Sequence, residues 1–122
     1  MKFLVATILV LLSIQASASK LASEISYLKS FIANSPCTFN RNGDLHSPKE
    51  ALEHIQKKHD YFEDDIHTAE DFIEKSASKS TMSGKAYTVI CPAQEGQGQQ
   101  TITSRTWLLR ALSSYRNQHN IQ

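Results

Sequence analysis

Neither sign of charge prevails in this sequence. Thirteen Lys and Arg stand against twelve Asp and Glu over 122 residues, so no polyanion-binding surface is expected and nucleic acid is not an expected partner. Glycine and proline are scarce, four and three in all, which excludes collagen-like and low-complexity chains. Cysteine occurs only as Cys37 and Cys91, without the Cys-x-x-Cys or Cys/His spacing of a zinc site. Long apolar runs are also missing. The longest, Phe3 to Ile14, has twelve residues, whereas about 20 are needed for a helix to cross a bilayer. With 40% hydrophobic and 20% charged residues, what remains is one ordinary globular domain.

That apolar run follows Lys2 and precedes Ala16-Ser17-Ala18, a charged start and small residues at minus three and minus one, as in a secretory signal peptide. Cleavage is expected after Ala18, leaving residues 19–122 as a single small domain with no membrane anchor. The removed segment carries Lys2 and no acidic residue, so twelve basic side chains remain against twelve acidic ones. The mature chain is formally neutral. No Cys follows the cleavage point, which disfavours lipid attachment. In an oxidising compartment two cysteines have one intramolecular choice of partner, so Cys37 and Cys91 are expected to pair. Two buried thiols or a two-Cys metal site are the alternatives.

Leu21, Ile25, Leu28 and Ile32 recur at helical spacing, predicting a first helix over roughly 20–34 that ends at Asn34-Ser35-Pro36. Cys37-Thr38-Phe39 reads as a short strand and Asn42-Gly43 as a tight turn. Ser47-Pro48-Lys49-Glu50 combines a cap, a first-turn proline and a reciprocal Glu. It opens a second helix whose inner face carries Ala51, Leu52, Ile55, His59 and Phe62. Thr68 caps a third helix packing through Ala69, Phe72 and Ile73. Residues 76–84 hold five hydroxyls and a glycine and read as loop. Lys85 to Pro92 is a strand, and Thr101 to Thr103 a possible return strand after a flexible loop. Ser104 caps a last helix with Trp107, Leu108, Ala111, Leu112 and Tyr115. The expected class is α+β, about four short helices on a two- or three-stranded antiparallel sheet with one disulfide. An all-helical arrangement remains the alternative, since a two-strand ribbon is marginal without cover.

Catalytic and metal templates fit poorly. Ser76-x-x-Lys79 has the spacing of a serine–lysine pair, but Ser26-x-x-Lys29 and Ser17-x-x-Lys20 repeat it, as fifteen serines and nine lysines will by chance. Glu50 and His54 stand at i,i+4, which reads as an exposed pair rather than a metal site. Glu63-Asp64-Asp65-Ile66-His67 lacks the ligand alternation and glycine of a calcium loop. No metal and no cofactor are expected. Lys79, Ser80, Ser83, Gly84 and Lys85 could cradle an anion through amides and hydroxyls, although a plain connecting loop explains them as well.

The ordered set Cys37-Thr-Phe-Asn-Arg-Asn-Gly43, Glu50-Ala51-x-x-His54-x-x-Lys57, Asp60-Tyr61, Thr68-Ala69-Glu70-x-Phe72-Ile73, Ala77-Ser78-x-Ser80-x-x-Ser83-Gly84-x-x-Tyr87 and Trp107-Leu108 resembles the YfeK-like family of small exported bacterial proteins of unassigned function. The resemblance spans nearly all of the mature chain, and the serine-rich run up to Tyr87 is its most specific part. Where many relatives carry a Trp-Tyr pair soon after Asn-Gly, this chain has Leu45-His46, which removes an aromatic platform there. The resemblance implies a bacterial exported protein with paired cysteines and supplies no activity. The expected role is a non-enzymatic binding or interaction module of the envelope, periplasmic or secreted. Arg41, His54, Ser78, Ser80, Ser83 and Tyr87 are its candidate site, facing an envelope protein or a small anionic ligand. The alternative is a small hydrolase in which His54 activates Ser78, Ser80 or Ser83, with Glu50 or Glu70 orienting the imidazole.

Overall fold

The computed structural model describes residues 2–120, with side chains described for residues 17–119. Four helices, a short 3₁₀ turn and four strands follow one another as α1 Lys2–Ala33, β1 Thr38–Arg41, β2 Asp44–His46, α2 Pro48–Tyr61, the 3₁₀ turn Glu63–Asp65, α3 Ala69–Ser76, β3 Thr88–Cys91, β4 Gln100–Thr103 and α4 Ser104–Asn120. The α+β class and the four helices match the expectation. The first helix begins well before residue 20, running through the segment read as a signal peptide. The side chains of residues 1–16 lie outside the described ones.

The sheet has four strands rather than two or three, all antiparallel in the order β2-β1-β3-β4. The extra strand comes from the Asn42-Gly43 turn. Both residues take positive φ, 57° and 91°, the twist that sends a chain straight back beside itself. Arg41 then faces Asp44, Asn40 faces Leu45 and Phe39 faces His46. Further along, β3 is shorter than the strand expected from Lys85. Lys85 to Tyr87 instead lie against the hydroxyl segment through an isolated Lys79–Ala86 bridge.

The helical layer and the sheet meet in one core. Leu28 and Ile32 of α1, Phe72 and Ile73 of α3, Val89 of β3 and Leu108 and Leu112 of α4 are almost completely buried. Helix α2 contributes Ala51 and Ile55, and β1 contributes Phe39. Trp107 is half-buried against Phe31, 4.6 Å between ring centroids, and edge-on to Phe39 at 5.6 Å. The Cys37–Cys91 disulfide is formed and joins the segment before β1 to the end of β3. Arg116 of α4 crosses to α1, donating to Glu24 at 2.7 and 3.0 Å, and to α3, donating to Glu70 at 2.9 and 2.8 Å. Among the described residues no helix is long and apolar enough to cross a membrane.

Candidate functional site

Where β1 and β2 meet α2, the chain encloses a small cavity of about 20 Å³ lined by Arg41, His46, His54 and Tyr87 above an apolar floor that includes Phe39 and Ile55. Each wall has a local cause. Antiparallel pairing at the Asn-Gly turn sets Phe39 and His46 opposite one another, so His46 faces inward with a buried aromatic. The Ser47 cap starts α2 in a fixed phase: Glu50 N–H donates to Ser47 Oγ at 3.2 Å and Ser47 N–H to Glu50 Oε1 at 3.1 Å. That phase turns Ala51, His54 and Ile55 towards the sheet. Tyr87 is held by its N–H donating to the Ser78 carbonyl at 2.9 Å and its carbonyl accepting from Ser104 N–H at 2.9 Å.

His54 Nε2 lies 3.1 Å from the Tyr87 hydroxyl, with the rings edge-on at 5.9 Å. Lys58, one turn on along α2, donates through Nζ to the Lys79 carbonyl at 2.7 Å and sits 5.2 Å from the centre of the Tyr87 ring. The charges that act on His54 come from basic groups. Burial, followed by the charges of Arg41, Lys58, His46 and Lys57, pushes the His54 imidazole down to about 4, so it is neutral at ordinary pH. Burial with Arg41 and Lys79 nearby lowers Lys58, and burial raises Tyr87. Among the described residues Arg41 forms no ion pair. Glu50 does not pair with His54, as its spacing had suggested. It caps α2 and lies 3.6 Å from His46 Nδ1, because the reciprocal cap fixes its rotamer towards the strand side.

The candidate residues therefore divide. Arg41, His54 and Tyr87 line one cavity. Ser78, Ser80 and Ser83 do not, and their hydroxyls are used to build the loop. Ser78 Oγ donates to the Ile73 carbonyl at 2.7 Å, satisfying the end of α3. Ser80 Oγ accepts from Ser83 N–H at 3.2 Å. Ser83 Oγ donates to Asn42 Oδ1 at 2.8 Å, tying the loop to the β1–β2 turn. None of the three bonds to His54, whose Nε2 is on Tyr87. Glu70, named as a possible orienting group for the imidazole, is bonded to Arg116.

His46 is the residue the sequence reading missed. Its Nε2 is buried without a hydrogen-bond partner among the described residues, although it lines the cavity. A signal for it was present: a two-residue Asn-Gly loop dictates that Phe39 pairs with His46. Among the described residues no cluster of three or more His, Cys, Asp or Glu could hold a metal ion.

Comparison with known proteins adds a family and no activity. Residues 19–116 match the model of a family of unknown function, DUF5329. The chain is 36% identical over 90 residues to the uncharacterized protein YfeK of Salmonella typhimurium strain LT2, covering 70% of this chain and 75% of that protein. No solved structure matches at a significant level. A family match over residues 19–116 shows that this chain belongs to the DUF5329 family, the YfeK-like family of unknown function that its motifs resemble.

Proposed function

We propose that this protein is an exported bacterial envelope protein that acts as a non-enzymatic binding module, taking an anionic group of its partner into the Arg41–His54–Tyr87 cavity. One observation carries the reading. The cationic Arg41 side chain and two hydrogen-bonding groups, His54 and Tyr87, line one cavity, with the Lys58 ammonium behind the Tyr87 ring on the Lys79 carbonyl, and among the described residues no carboxylate bonds to any of the four. Same-sign charge gathered around a partly desolvated pocket is costly for the free protein and is relieved by a bound anion. Export is supported by Lys2, the apolar run to Ile14 and the Ala16-x-Ala18 pattern. The family match, which begins at residue 19, and the disulfide, which suits an oxidising compartment, favour it as well.

Two-dimensional NMR of the labelled protein against a panel of envelope fragments and acidic peptides tests this. Anionic members of the panel are expected to move the signals of residues 39–41, 54 and 87. An Arg41→Ala plus His54→Ala double variant should bind them at least tenfold more weakly. A panel that moves nothing, or a double variant that binds as the wild type does, overturns the reading.

A further inference from the structure

We propose that the groove beside the disulfide is a second binding site, which takes a neutral glycan by laying its sugar rings on Tyr27, Phe31 and Trp107. The disulfide builds this groove. By joining Cys37 to Cys91, it brings Pro36, just before one cysteine, and Pro92, just after the other, onto the same hollow. Tyr27 and Phe31, one turn apart on α1, and Trp107 of α4 line it as a row of rings. Centroids are 6.2 Å apart from Tyr27 to Phe31 and 4.6 Å from Phe31 to Trp107. All three rings are only partly buried, so each keeps surface open to a ligand. The groove measures about 730 Å³, within the range of small-ligand clefts. It shares no lining residue with the Arg41–His54–Tyr87 cavity.

The lining selects the ligand. One residue in five of the chain is charged, yet among the described residues no Asp, Glu, Lys, Arg or His lines the groove. A charged group would lose hydration there and gain no ion pair. Aromatic rings offer flat apolar faces, against which the C–H face of a sugar ring lies while its hydroxyls project around the edge. The polar groups decide between a glycan and a proline-rich peptide, the other neutral chain that aromatic grooves receive. Asn34 Nδ2 donates to the Ser30 carbonyl at 2.9 Å. Because a carbonyl only accepts, this bond fixes the orientation of the Asn34 amide and leaves Oδ1 as an acceptor at the groove. It calls for a donor on the ligand. Proline has no N–H, whereas a sugar hydroxyl both donates and accepts. The Gln94 amide, exposed on the loop after β3, offers both roles in return.

Trp107 is the only tryptophan in the chain, so intrinsic fluorescence reads the groove directly. Cellotetraose, maltotetraose and chitotetraose, titrated into the purified wild-type protein, test the proposal, with an acetylated and amidated proline-rich peptide as the rival class. At least one oligosaccharide is expected to shift the Trp107 emission saturably. In two-dimensional NMR it should move the signals of residues 27, 31, 34 and 94 and leave those of 41, 54 and 87 in place. An Asn34→Ala plus Gln94→Ala variant, changed only at exposed side chains, should bind the same sugar about tenfold more weakly with an unchanged urea midpoint. The inference falls if no oligosaccharide binds at millimolar concentration or if the double variant binds as the wild type does. It falls equally if the proline-rich peptide binds more tightly than every sugar.

Discussion

His54 shares its surroundings with Arg41 and Lys58 and places Nε2 on the Tyr87 hydroxyl, so its protonation is opposed by burial first and by neighbouring charge second. Replacing Arg41 with Ala removes the larger of the charge effects and leaves burial. The His54 imidazole is then expected to titrate above its present value of about 4 and still below the usual 6.5. An NMR titration that finds it unmoved would show that Arg41 does not act on it. The sign for stability follows from the same shift. Because the folded state holds the imidazole neutral, its contribution is complete above pH about 6.5 and is lost as pH falls towards 4. At this scale the sequence revealed which residue types had chemistry to offer, and Arg41, His54 and Tyr87 were among them. It did not reveal that His54 and Tyr87, 33 positions apart, would touch. The three serines carried the same polar signal, yet their hydroxyls went to the Ile73 carbonyl, the Ser83 amide and Asn42.

Local sequence rules were strongest at the helix starts. Ser47 and Thr68 both form reciprocal caps, the second using Asp71 where the usual pattern has Glu or Gln. Each Ser47→Ala or Thr68→Ala substitution should cost about 1 kcal/mol in urea unfolding. Ser47→Ala should also disturb the cavity, since the cap sets the phase that turns His54 inward. Unchanged unfolding midpoints for both variants would mean that the caps contribute nothing. Helix α1 was legible in its packing face, because Ile25, Leu28 and Ile32 are buried at the spacing that exposed them as a stripe. Strand β2 was not. Asp44-Leu45-His46 is too short for alternation to emerge, and Leu45 remains largely exposed. Only the positive-φ turn before it specifies the strand.

For the molecule as a whole, two long-range links join elements that the chain separates. The disulfide spans 54 positions and in the chain-entropy picture contributes about 4 kcal/mol, a large share of a small domain's net stability. Cys37→Ser plus Cys91→Ser should therefore lower the unfolding free energy by roughly that amount, and a loss below about 1 kcal/mol would refute it. Arg116 is the second link. Its hydrogen bond holds the Glu70 carboxyl down at about 2, so that part of the stability is present above the usual carboxylate range and is lost as pH falls through 4.5 towards 2. Glu24 is 5% exposed, and Arg116→Ala would strand its carboxylate at a cost of about 3 kcal/mol. Glu24→Gln in that background should recover part of the loss, as read by urea unfolding at pH 7. By itself the sequence determined the helical faces, the caps, the Asn-Gly turn and the pairing of the cysteines, because each follows from spacing or from a choice with one partner. Tertiary structure alone decided that the hydroxyls would be spent on the loop and that His46, His54, Arg41 and Tyr87 would share a cavity. Such convergence depends on how a sheet register and a helix phase meet in space, and no local pattern encodes that meeting.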